Sequence, residues 1–236
     1  MNETSNLTPP KRSIGDTAHT VAKAAISAVP VVGGPAAELF TWLLMPPWER
    51  RRNDWMQRVA EAVRRLEQEH GRATEDLQND ESFTTTVMHA TQVALRNHEE
   101  EKLNALRNAV LNAGLPEPPD ASLQQMFLNW VDAFTVWHLR ILSVVDDPRR
   151  WFDAHSKKLP DPYIGGCLED VLKAAYPELS SQEEFLGQVW RDLHSHGLVN
   201  TDSLRTMMSS SGLAASRTTD LGKDFLGFIA EPKGNG

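Results

Sequence analysis

The sequence predicts an all-α protein in two parts, an amino-terminal helical bundle and a smaller carboxyl-terminal domain. Two observations carry this. Apolar residues recur at three- and four-residue steps over most of the chain, the period of a helix with one buried face. Proline and glycine gather at a few points, at Pro30 to Pro35, Pro46–Pro47, Gly114 to Pro119 and Pro148, and divide those periodic stretches. The boundaries follow: a disordered arm over 1–13, a bundle over 14–114, and a second domain over 121–231.

Composition bounds the partners. The net charge of −8 gives the whole molecule no general attraction to nucleic acid or anionic membranes, so such binding needs a local basic patch. One cysteine, Cys167, excludes an intramolecular disulfide framework and fits a reducing cytoplasm. The start, MNETSNLTPPKRS, is polar and proline-bearing, unlike a secretory signal.

Small, helix-compatible residues from Ile14 to Ala28 form the first expected helix, PVVGGP the turn after it, and Ala36 to Met45 a short second helix. Between Ala24 and Trp48 the only charged side chain is Glu38, which makes this stretch the membrane candidate. The Pro-Gly-Gly-Pro interruption would leave backbone groups unpaired in hydrocarbon, so the expectation is a buried hairpin rather than a spanning helix. Pro46 and Pro47 are expected to end the hairpin and open the next helix. In that helix Trp55, Val59, Ala62, Val63 and Leu66 trace an amphipathic face. Arg50, Arg51 and Arg52, beside Trp48 and Trp55, form a candidate edge for an anionic membrane or a partner; the ordinary alternative is a solvated face of ion pairs.

Glu81 to Ala113 reads as one long helix. Asn104, Asn108 and Asn112 fall at successive i, i+4 positions although asparagine disfavours helices, which points to a polar network with a neighbouring helix, to a solvated face, or to a ligand or partner site. After LPEPPDAS, with Asp120 or Ser122 as cap, Leu123, Phe127, Trp130, Phe134, Ile141 and Val145 form a heavy apolar stripe along one further helix. The strings PVVGGPAAELF, PPWERRRNDW, HEEEKLNALRNAVLNA and WHLRILSVVDDP resemble an uncharacterised family of bacterial helical proteins. The resemblance covers most of residues 22–150, implies a bacterial, mostly helical protein, and carries no catalytic residue across.

From 168 onward the order is LEDVLKAAY, a PELSS turn, QEEFLGQVWRDLHSHG, an extended pair at Leu198 and Val199, and TTDLGKDFLGFI. With Gly197-Leu198, Thr219, Leu221 and Gly222 in place, this resembles the winged-helix fold of bacterial regulators. The resemblance implies a small β-wing, although the serine-rich SLRTMMSSSGLAAS departs from the usual wing. It also invites DNA binding. From Gly165 onward, however, six basic residues face ten acidic ones, and only Arg205 and Arg217 suit nucleic-acid contacts.

No phosphate loop, dinucleotide fingerprint, nucleophile elbow or zinc-protease motif occurs. His138 reads as a packed side chain, and Asp146, Asp147, Asp153 and His155 as a capping cluster. The expectation is a cytoplasmic, non-enzymatic interaction or regulatory protein without cofactor or metal, its winged-helix-like domain contacting an unknown protein partner or a second copy. The alternatives are a DNA-binding regulator and a membrane-perturbing effector acting through the 24–48 hairpin.

Overall fold

A computed structural model describes residues 35–161 and 165–232. The expected arm, the helix from Ile14 to Ala28 and the PVVGGP turn lie outside the described residues. The chain divides into two units between Glu49 and Arg50. In the first, the described residues belong to the start of α1 (Pro35–His70), which continues into the second.

Pro46 and Pro47 lie inside α1 instead of ending a hairpin. Their ring-fixed φ suits a helix, but they lack the N–H groups that would serve the carbonyls of Trp42 and Leu43. Around them the chain is exposed, so water can take those acceptors. Of the apolar side chains before them, expected in a core, Leu39, Trp42, Leu43 and Leu44 are exposed as well.

The second unit contains the rest of α1 and ten further α-helices: α2 (Thr74–Asn79), α3 (Glu81–Arg96), α4 (Glu100–Ala113), α5 (Ala121–Ala133), α6 (Val136–Asp146), α7 (Pro148–Ala154), α8 (Leu168–Ala175), α9 (Glu183–Ser195), α10 (Ser210–Leu213) and α11 (Asp220–Ile229). A 3-10 turn, Pro177–Ser181, joins α8 to α9. The stretch LPEPPDAS, residues 115–122, read from sequence as a linker, runs within this unit.

Two expected long helices are each divided. Asn97 ends α3, its amide donating back to the Val93 carbonyl at 2.8 Å, and α4 starts at Glu100. The break lets α3 and α4 pack on each other and bury both apolar stripes, Phe83, Ala90 and Val93 on one and Leu106, Ala109 and Val110 on the other. The second break, at Phe134 and Thr135, has no proline or glycine to announce it. Thr135 becomes the N-cap of α6, its backbone N–H donating to Nδ1 of His138 at 3.1 Å.

α11 returns to the middle of the chain and packs on α4, with further contacts to α5 and α6. Phe127 of α5 meets Phe225 and Phe228 of α11 at ring-centroid distances of 5.6 Å each. One core therefore runs from Trp55 and Leu66 through Phe127 and Ile141 to Trp190 and Phe228.

The expected β-wing is not formed: among the described residues there is no strand, only two isolated antiparallel bridges, Val199 with Thr218 and Gly166 with Met208. Other hydrogen bonds, one local and one to α6, take backbone groups of this stretch. The Ser209 hydroxyl caps α10 by accepting from the Gly212 N–H at 3.3 Å, and the Arg217 N–H donates to the Val145 carbonyl at 2.8 Å. Gly197, at φ +70°, closes α9 in a Schellman arrangement, with Leu198 N–H donating to Leu193 O and Gly197 N–H to His194 O. Thr219 then caps α11, accepting from the Gly222 N–H at 3.0 Å while its hydroxyl donates to the Gly197 carbonyl at 2.6 Å.

Gly222 makes this joint tight. A Cβ there would lie 2.3 Å from the Leu198 carbonyl oxygen, a backbone atom, whereas a Cβ at Gly114 would meet the movable methyl of Leu66 at 2.3 Å. Gly222→Ala should therefore destabilise the fold by about 2 kcal/mol, an overpacking cost that lowers the Tm by roughly 4–8 °C. Gly114→Ala should cost less, and thermal unfolding of the two variants compares them directly.

Candidate functional site

The asparagine ladder of α4 resolves into two roles. Asn104, half-buried, accepts from Arg58 at 3.0 Å, and Arg58 also pairs with Glu100 at 2.8 Å. Asn108 and Asn112 are buried and reach the end of α11. Asn108 Nδ2 donates to the Ile229 carbonyl at 2.9 Å, and its Oδ1 accepts from Arg107 at 2.9 Å. Asn112 Nδ2 lies within 3.3 Å of the carbonyls of Gly227, Phe228, Ala230 and Asn108. The Gly227 and Phe228 carbonyls lie in the last turn of α11 and that of Ala230 just past it, where intrahelical donors run out, whereas that of Asn108 lies within α4 itself. Glu231, just beyond, is gripped by Arg65 and Arg107. The ladder is a cap made by one helix for another.

A groove of about 720 Å³ opens between α9 and residues 202–205. Leu186, Trp190 and Leu204 line its floor and Gly187 its wall, where a Cβ would meet only the Arg191 guanidinium, at 3.5 Å. Four carboxylates border it, those of Glu169, Glu183, Glu184 and Asp202, against the guanidiniums of Arg191 and Arg205. Arg205 pairs with Glu169 at 2.7 Å and Glu183 at 3.0 Å, and Lys173 bridges the same two acids at 2.8 and 3.0 Å. Arg205, with Lys173 behind it, holds the Glu169 carboxyl below its ordinary pKa. Glu184 and Asp202 have no hydrogen-bond or ion-pair partner among the described residues. Arg217 is turned inward, donating to the Gly212 carbonyl and lying 3.3 Å from the Met208 sulfur. Of the two arginines expected at nucleic acid, Arg205 is thus ion-paired at an exposed position and Arg217 is turned into the fold.

The candidate membrane or partner edge is also divided. Trp55 is buried at 1% exposure and donates through Nε1 to the Thr91 hydroxyl at 2.8 Å. Trp48, Arg51 and Arg52 are half-buried and Arg50 is exposed. In the first unit the outward apolar residues are others: Leu39, Trp42, Leu43 and Leu44, at 63, 74, 58 and 43% exposure.

His138 is buried between Phe134, stacked on it at 4.6 Å, and Asp192. Because Nδ1 accepts from the Thr135 backbone, Nε2 carries the proton and donates to Asp192 Oδ2 at 3.3 Å. Burial pushes the pKa of His138 down, against the pull of Asp192, and burial also lowers that of His89. Lys102, buried, donates to the Asp132 carbonyl in the last turn of α5 at 3.1 Å, and burial lowers its pKa too. Of the acidic cluster near Pro148, Asp147 caps α7 through the Arg150 N–H, Asp146 accepts from Thr218, and His155 stacks on Trp151 at 3.9 Å. Among the described residues no group of three or more His, Cys, Asp and Glu is arranged to hold a metal ion.

No family model, curated protein or solved structure matches the chain.

Sequence reasoning gave Glu183 and Glu184 their acidic helix but missed Gly187, Trp190 and Asp202 as parts of one groove. Only the return of 202–205 onto α9 unites them. The signal for Trp42 was present, in an apolar run with a single charge.

Asn112→Ala should destabilise by about 2–3 kcal/mol, since buried carbonyls lose their donor, while Asn104→Ala should cost about 0.5 kcal/mol or less. Urea unfolding measures both. The histidines give a second expectation. Their folded pKa values lie below the unfolded value near 6.5, so the unfolded chain binds protons first as pH falls. Their contribution to stability is complete above about pH 6.5 and is lost as the pH drops through the lowered folded values. His138→Gln should flatten that decline in a Tm-versus-pH series between about pH 7 and 5.

Proposed function

We propose that this is a non-enzymatic interaction protein that receives a basic segment of a protein partner in the groove between α9 and residues 202–205. The observation that carries the reading is how charge is spent there. The arginine that would meet phosphate, Arg205, is held by Glu169 and Glu183, Arg191 is hydrogen-bonded to Gln188, and the carboxylates of Glu184 and Asp202 at the rim have no partner among the described residues. A DNA reader needs several free lysine or arginine contacts to phosphate, and this surface offers the opposite sign. A cationic side chain laid over Gly187 would find carboxylates at its charged end and Leu186 and Trp190 along its aliphatic stem. The order α8, α9 and a returning Val199–Thr218 pair supports a winged-helix-like reading in which the wing is replaced by loop and one helical turn.

The test is a fluorescence-anisotropy titration with a labelled twelve-residue peptide of alternating arginine and leucine at low salt. Wild-type protein should bind it, and Glu184→Gln with Asp202→Asn should weaken binding about tenfold, equivalent to about 1.4 kcal/mol. Gly187→Leu should block the groove while leaving the Tm near that of wild type. Absence of peptide binding at 50 mM salt, on the order of the low-salt regime where such contacts are strongest, or displacement of the peptide by duplex DNA, would overturn the proposal.

A further inference from the structure

A soluble helical body ordinarily buries its large apolar side chains, and the second unit does so with few exceptions. Of the seven large hydrophobic residues that are exposed among the described ones, four lie within six positions of α1: Leu39, Trp42, Leu43 and Leu44. At about 100° per residue these four spread over roughly 200° of the helix circumference. A stripe that packs on one neighbouring helix needs only about 100°. From Pro35 to Trp48 the sequence holds one charged residue, Glu38, and three arginines, Arg50 to Arg52, follow closely.

We infer that this segment of α1 docks on the surface of an anionic lipid bilayer. Its breadth fits immersion in an apolar medium better than the single face that a second copy would offer. Its depth is limited: no helix among the described residues is long and apolar enough to cross a membrane. Pro46 and Pro47 also leave the Trp42 and Leu43 carbonyls without helical donors, which keeps that turn near water. Tryptophan favours this interfacial depth, with its ring among acyl chains and its N–H at the headgroups. The arginines that follow supply charge complementary to phosphatidylglycerol or phosphatidylserine, and salt screens that attraction.

The full chain is tested by flotation with vesicles of phosphatidylcholine containing one third phosphatidylglycerol, and with vesicles of phosphatidylcholine alone, at about 0.1 M and 0.5 M salt. Flotation with the anionic vesicles should be reduced about tenfold by Trp42→Asp with Leu43→Asp and should weaken at high salt. Arg50→Gln with Arg51→Gln should lower it to the level seen with neutral vesicles. Quenching of fluorescence by lipids brominated near the headgroup should fall in Trp42→Phe, which keeps the segment apolar and identifies the inserted ring. All of these substitutions lie outside the core, so an unchanged Tm separates loss of docking from loss of fold. The inference fails if wild-type protein floats with neither vesicle, if the double aspartate variant floats as well as wild type, or if sedimentation shows a dimer, broken by those aspartates, that vesicles do not dissociate.

Discussion

The second unit depends on how the end of its last helix is satisfied. α11 ends with carbonyls at Gly227, Phe228, Ile229 and Ala230, and Ala230 is extended, without a glycine C-cap to turn the chain back on them. Those acceptors are met instead by the amides of Asn108 and Asn112, two turns of α4. A hydrophobic face alone would let α11 slide or rotate along α4. Directional amide contacts fix its register, and the grip of Arg65 and Arg107 on Glu231 ties the same point to α1. With α11 fixed, Phe225 and Phe228 are presented to Phe127, Thr219 can join α11 to Gly197, and α9 is held at the base of its groove. A residue type that weakens a helix in isolation is thus repaid by a second helix that it terminates.

Helical content was legible because it rests on local periodicity, and the cap at Asp120 was legible because it rests on backbone chemistry within a few residues. The divisions at Asn97 and at Phe134 were not. Each stripe, extended through the break, still has helical spacing, and only the gain from folding one half against its neighbours ends the helix. The asparagines were visible as an anomaly, but their partners stand more than a hundred residues away, at a helix end whose position no local pattern specifies. The wing failed for a related reason. The resemblance implied a strand pair, but a ladder forms only if a second strand accepts it, and here Ser209 and Val145 take the Gly212 and Arg217 N–H groups instead.

Charge shows the same division between composition and placement. Counting residues gave a negative carboxyl-terminal half with two arginines in suggestive positions. Their placement changes what the count means. Arg205 and Lys173 neutralise a nearly buried Glu169 and hold Glu183 beside it, so the cations are drawn toward the fold and the remaining negative groups are left at the rim. Exposed pairs of this kind add little stability singly, about 0–1 kcal/mol, but leaving Glu169 without its partners would strand a carboxylate in a site mostly closed to water. The network is therefore held in place by Glu169, and the sign of the groove follows from it. This internal pairing leaves the carboxylates of Glu184 and Asp202 at the rim without an ion-pair partner among the described residues.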